Sequence, residues 1–240
     1  MIGVPRALVV RVSPAGALSG QDIDQIWGLM SRSVKRARPE FEARLASCDQ
    51  VYLLHERASG DLAGFMALHE VRDPVGTLLH AQWVFMAPRW RGGLGFQMIG
   101  ARLFLRALAR GKPVWLLFSA ATINSFMMIA GVVPKLWLAS QSDLPSDLRG
   151  LIDRGMQRVA GDAWDPAAGV IRGRGRWSYA EGVVAPGTAD LSPLVRRFVE
   201  ANPGQADGDA LVCLVPLTMK NWLVGITRLV RRARRRAAAR

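Results

Sequence analysis

The passage from Thr77 to Ala109 constrains this chain more than any other. An apolar segment running from Thr77 to Met86 enters Ala87-Pro88, then Arg89-Trp90-Arg91-Gly92-Gly93-Leu94-Gly95, then a helix-periodic segment from Phe96 to Ala109. Proline removes a ladder donor, so a strand has to end at Pro88. Met98, Ile99, Leu103, Leu105 and Leu108 give the following segment its apolar residues, and Gly111 stops it. A strand that passes into a helix through glycines leaves main-chain N–H groups and a positive dipole end at the turn. That arrangement suits a phosphate, and Arg89 and Arg91 add charge at the same place.

The elements before it follow from local signals. Ala7 to Val12 reads as a first strand, and Ser19 caps a helix over Asp22 to Val34 with Ile23, Ile26, Trp27 and Met30 on one stripe. Pro39 opens a second helix that reaches about Ser47. Val51 to His55 and Leu62 to Val71 are strands joined by the tight turn Ala58-Ser59-Gly60-Asp61, and Thr77 to Met86 completes a meander. After the glycine turn and its helix come a strand, Val114 to Phe118, and a short helix, Asn124 to Ala130. Beyond Ser140 the chain becomes polar and irregular. The expected organisation is a core over 1–140, an extension over 141–218 packed on it, and a tail helix over 219–240.

With 240 residues, half of them hydrophobic, the chain has ample material for a buried core. Its two cysteines, Cys48 and Cys213, lie far apart, and His55, His69 and His80 have no metal-ligand spacing with them. No disulfide framework and no metal are expected, and a reduced, cytoplasmic chain is.

This order of strand, two helices, three-stranded meander, glycine turn, helix, strand and helix resembles the GNAT acyltransferase superfamily over about residues 7–140. In that family the central strand ends in Val-x-Pro and meets an Arg/Gln-x-x-Gly-x-Gly/Ala loop; here Met86-Ala87-Pro88 matches the first element, and Arg89 to Gly95 resembles the second with one residue fewer. The resemblance implies a mixed α/β (α+β) fold with a mostly antiparallel central sheet flanked by helices. It also implies acetyl-CoA or a longer acyl-CoA as co-substrate, or else an acyl-carrier protein. Its phosphates would be held by Met86, Arg89, Arg91, Gly92, Gly93, Leu94 and Gly95, and its pantetheine arm by Asn124. Many members carry a tyrosine acid in the last of these helices. Phe126 and Met127 occupy that region here, and the only tyrosines are Tyr52 and Tyr179.

Acylation of an amine needs a base that titrates near neutrality. His80 and Gln82 share one face of the strand before the turn by its two-residue period, which makes His80 the first candidate. A hydrogen-bonded core histidine is the competing reading. His69 and Glu70, at the end of the preceding strand, come second. The acceptor is a small-molecule or lipid-like amine or alcohol, and a degenerate scaffold that binds without catalysing is the alternative.

The net charge of +13 is concentrated at one end. Lys220 to Arg240 holds eight basic residues and no acidic one, while the rest carries 24 basic and 19 acidic residues. Trp222, Ile226, Leu229 and Ala233 fall at helical spacing among the arginines, as in a basic amphipathic helix on an anionic, inner-face membrane surface. A solvated end stays open beside it, and nucleic acid is the least expected partner, because no stacking aromatics lie among the terminal arginines. Arg172, Arg174 and Arg176 with Trp177 suit a solvated loop first, and a phosphate or an acidic carrier protein second. One rival remains: Val114 to Val133 has no charge over twenty residues, long enough for a membrane span, although Ser119, Thr122, Asn124 and Ser125 interrupt it.

Overall fold

The computed structural model describes residues 7–31, 37–91, 95–173 and 192–238, with side chains as far as Arg231. It is mixed α/β, with mostly antiparallel strand pairing and flanking helices. The chain divides into two compact units, one comprising Met1–His69, Ala81–Gly111 and Ile226–Arg240, the other Glu70–His80 and Lys112–Gly225.

In the first unit β1 (Leu8–Pro14) leads to α1 (Gly20–Met30), α2 (Arg38–Ala46) and β2 (Gln50–Glu56). The predicted cap at Ser19 is present as a reciprocal box. Its hydroxyl accepts from the Asp22 amide at 3.1 Å, and the Asp22 carboxylate accepts from the Ser19 amide at 3.0 Å. Burial would raise the Asp22 pKa, but the Ser19 amide and hydroxyl, with Arg11, outweigh it and hold the carboxyl below its usual range. Helix α1 stops at Met30, short of the expected Val34, and residues 32–36 lie outside the described residues.

Strand β2 pairs antiparallel with β1, from Leu8 opposite Glu56 to Pro14 opposite Gln50. It pairs antiparallel with β3 (Leu62–Asp73) from Gln50 opposite Leu68 to Leu54 opposite Gly64, with a register shift before His55. The turn between them places Gly60 at φ 75°, a left-handed conformation that a side chain disfavours. Strand β4 (Gly76–Met86) follows β3 in the sheet and, like β3, contributes residues to both units.

An aromatic ladder fixes the first unit's share of β4. Trp27 on α1 lies 5.5 Å from Phe41 on α2, Phe41 lies 5.9 Å from Trp83, and Phe65 of β3 stacks on Phe85 at 5.8 Å, all between ring centroids. Trp83 and Phe85 are two residues apart and therefore share a face. Met86 points the other way, into space that only glycines leave open. A Cβ on Gly64 would come within 2.7 Å of the Phe85 carbonyl oxygen, and one on Gly95 within 2.6 Å of the Met86 methyl. Gly95 is the first residue of α3 (Gly95–Leu108), so the close approach of this helix to the strand depends on that glycine.

The second unit takes the end of β3 and the start of β4 and continues through β5 (Val114–Ala120), α4 (Ile123–Ala130), β6 (Trp137–Leu138) and α5 (Ser146–Ala160). It ends with β7 (Trp164–Asp165), β8 (Val170–Ile171), α6 (Pro193–Ala201), β9 (Ala210–Pro216) and the first part of α7 (Met219–Ala238). The uncharged run from Val114 is thus a strand, a capped loop and a short helix, as the polar interruptions favoured. Among the described residues no helix is long and apolar enough to cross a membrane.

Strand β9 lies in the segment expected as an extension, yet it runs antiparallel along β5 from Trp115 opposite Pro216 to Ala120 opposite Leu211. All seven of its residues are buried. Val212 and Leu214 join Leu78, Trp115, Leu117, Leu151, Ile152 and Met156 in the unit's apolar core.

Candidate active site

Strand β4 ends as its proline requires. The Ala87 amide makes a last bond to the Ala63 carbonyl at 2.9 Å, and Pro88–Trp90 form a single 3₁₀ turn. Both arginines of the turn have internal contacts. Arg89 pairs with Glu56 and lies 3.8 Å from Asp61, while the Trp90 indole donates to the same Glu56 carboxylate at 2.7 Å. Glu56 thereby ties the turn back to β2. Arg91 remains exposed and donates from Nε to the Met86 carbonyl at 3.1 Å. Gly92, Gly93 and Leu94 lie outside the described residues. The first turn of α3, which opens at Gly95, holds no acidic side chain. Its leading amides have no acceptor within the helix, and no carboxylate of its own competes for them.

His80, in the second unit, is 2% exposed, and its Nε2 lies 3.4 Å from the Ser119 hydroxyl on β5. The structure therefore adds Ser119 to the candidates. Its only sequence signal is a single hydroxyl inside Val114-Trp-Leu-Leu-Phe-Ser-Ala120. Gln82 is half-buried on the same strand. The Glu70 carboxylate accepts from Arg72 Nε at 2.7 Å, and the Glu70 carbonyl accepts from Arg158 at 3.2 Å. Glu70 is thus held as an ion pair, not presented as a free base. Asn124 is exposed in the first turn of α4, a helix capped reciprocally by Thr122 and Ser125 at 3.1 Å.

No protein-family model matches this chain, and no curated protein does. Solved structures do. The ribosomal-protein-S18-alanine N-acetyltransferase of Escherichia coli is 12% identical, with 88% of this chain and 96% of that one covered and a TM-score of 0.43. The N-acetylglutamate synthase of Neisseria gonorrhoeae, crystallised with coenzyme A and N-acetylglutamate, is 18% identical over 61% of this chain and 32% of its own, with a TM-score of 0.40. A fungal glycosidase carrying a GCN5-related glucosamine N-acetyltransferase region is 12% identical over 47% of this chain and 14% of its own, with a TM-score of 0.38. The fungal region is described as GCN5-related, and the Escherichia coli protein as an N-acetyltransferase. This chain spans about a third of the gonococcal synthase and a seventh of the fungal protein. At 12–18% identity, chemistry has to be read from this chain's own side chains.

Where the GNAT resemblance implies a tyrosine acid, this chain has Phe126 and Met127. Phe126, in the region where many members carry tyrosine, is fully buried against Phe198 of α6 at 5.3 Å. Tyr52 is 2% exposed, with its hydroxyl 3.4 Å from Arg106 on α3. Tyr179 lies outside the described residues, as do Arg174, Arg176 and Trp177. Among the described residues no group of three or more His, Cys, Asp or Glu is placed to hold a metal ion.

Cys48 and His69 also come together, with Sγ 3.7 Å from Nε2. Burial, with the Asp49 charge second, pushes the Cys48 thiol up to about 12, so the pair holds a thiol and not a nucleophilic thiolate. Burial raises Cys213 as well. Both cysteines are therefore expected to resist iodoacetamide at pH 8 in the folded protein, reacting roughly a thousandfold more slowly than after unfolding. Mass spectrometry of intact protein over a time course reads this directly, and alkylation of Cys48 at the unfolded rate would contradict its burial.

Proposed function

We propose that the protein is a GNAT-type acyltransferase that moves an acyl group from a coenzyme A or carrier-protein thioester to an amine or hydroxyl acceptor. The passage from β4 into α3 carries the reading. It joins a strand stopped by Pro88 to a helix that opens at Gly95 with no acid in its first turn, and Arg91, after the 3₁₀ turn, is exposed. In this reading the α3 amides, Gly92, Gly93, Leu94 and Gly95 receive the phosphates, Met86 lines the approach and Asn124 meets the pantetheine arm. Arg91 supplies charge, and Arg89 would do so only by leaving Glu56.

Chemically, the acceptor nitrogen attacks the thioester carbonyl, a C–N bond forms, the C–S bond breaks and the thiolate leaves. His80 takes the proton that the nitrogen sheds, with Ser119 orienting its ring; Gln82 is the remaining candidate on that strand, and Glu70 would contribute only by leaving Arg72. Acyl-CoA supply makes the cytoplasm the expected compartment.

A second reading, a scaffold that binds an acyl carrier without turnover, draws on two observations: Arg89 is occupied by Glu56, and phenylalanine stands in the tyrosine region. Calorimetry with acetyl-CoA and palmitoyl-CoA, followed by free-thiol release across a panel of amines and alcohols, separates them. Binding with thiol release is the expected result, and binding without release would favour the scaffold. Absence of binding by both thioesters, with a carrier-protein thioester also inert, would remove both.

A further inference from the structure

Helix α7 leaves one apolar stripe, Met219, Leu223 and Ile226, on its outer side, while Trp222, Val224, Leu229 and Val230 are half-buried. Its inward positions are Asn221 and Gly225. Asn221 is 5% exposed; its Nδ2 donates to the carbonyls of Lys135 at 3.1 Å and Pro216 at 2.8 Å, and its Oδ1 accepts from the Lys135 amide at 3.1 Å. A Cβ on Gly225 would sit 3.5 Å from Val132. Met219, Leu223 and Ile226 are 50%, 56% and 38% exposed. At about 100° per residue these three fall within an arc of roughly 60°, and Asn221 and Gly225 fall nearly opposite. The stripe is not the expected one, since Trp222 and Leu229 are half-buried. In the sequence its spacing continues through Val230, Ala233 and Ala237.

Amphipathic helices ordinarily pack the apolar stripe inward. Here the fold holds the opposite side by hydrogen bonds and a glycine contact. Lys220, Arg228 and Arg231 are all exposed, and the segment from Lys220 to Arg240 contains eight basic residues and no acid. Charge alone would suit any polyanion. An aliphatic stripe beside the charge suits one that also offers hydrocarbon. We propose that α7 docks the protein on an anionic lipid surface, with Met219, Leu223 and Ile226 entering between acyl chains and the basic residues meeting lipid phosphates. This inference does not depend on the acyltransferase reading.

The test is sedimentation of the full chain with vesicles of phosphatidylcholine alone or of roughly 70:30 phosphatidylcholine and phosphatidylglycerol. Wild type is expected to partition at least about tenfold better onto the anionic vesicles. The double variant Leu223→Asp/Ile226→Asp is expected to lose about tenfold or more, and Lys220→Glu/Arg231→Glu a comparable amount. The replaced side chains are exposed, so circular dichroism and the thermal midpoint should match wild type. Undiminished vesicle binding by the Leu223/Ile226 variant would overturn the proposal. So would binding to a duplex RNA at least as tight as to vesicles and indifferent to those two substitutions, because either result leaves charge as the only determinant.

Discussion

Replacing His80 with alanine is expected to lower turnover about 100- to 10,000-fold while acyl-CoA affinity stays within about threefold. The split follows from where the residue stands. His80 is buried on β4 with Nε2 3.4 Å from the Ser119 hydroxyl, whereas the phosphate-binding role is proposed for the α3 amides. A base acts only as the transition state forms, so its loss belongs in kcat and not in thioester affinity. Because a buried histidine also packs, His80→Gln serves as the companion variant. It keeps a polar side chain of similar size and should restore the melting temperature without restoring turnover. Ser119→Ala should lower kcat more than it changes thioester affinity, and by less than either His80 variant, as expected of a positioning residue. Turnover unchanged in both His80 variants would take this histidine out of the mechanism and leave it a core residue.

The largest effect on stability is expected at Phe41. Its ring is fully buried and lies 5.5 Å from Trp27 and 5.9 Å from Trp83, so it joins both N-terminal helices to β4. Truncation to alanine removes the transfer free energy of the ring and leaves a cavity between rigid neighbours, costing about 3–5 kcal/mol. A domain is stable by roughly 5–15 kcal/mol, so that is a large share of the total. Phe41→Leu retains most of the volume and should cost distinctly less. Urea unfolding followed by tryptophan fluorescence measures both, and a loss below about 1 kcal/mol for the alanine variant would mean that the site collapses around the gap. The ladder also supports Trp83 and Phe85 from behind, so the variant should loosen the strand that carries the glycine turn.

Much of the first 130 residues was legible because its signals are local. The Ser19–Asp22 box, the left-handed Gly60, the stop at Gly111 and the break at Pro88 each act within a few residues of the element they begin or end. The candidate site was legible in part. The strand, the turn and His80 could be named, but the engagement of Arg89 by Glu56 and the approach of Ser119 to His80 join positions far apart in the chain. No spacing rule connects such pairs.

The sequence by itself determined the order of strands and helices as far as α4, the place where a strand must pass into a helix, and the concentration of positive charge at one end. Only the tertiary structure decided that Ala210–Pro216 lies along β5, and which side of α7 faces solvent. The physical reason is the same for both. A continuous apolar run such as β9 has no alternation to mark its faces, and a helix with apolar residues on more than one side is oriented by whatever its neighbours can bond. Here those bonds are the ones Asn221 makes to the carbonyls of Lys135 and Pro216.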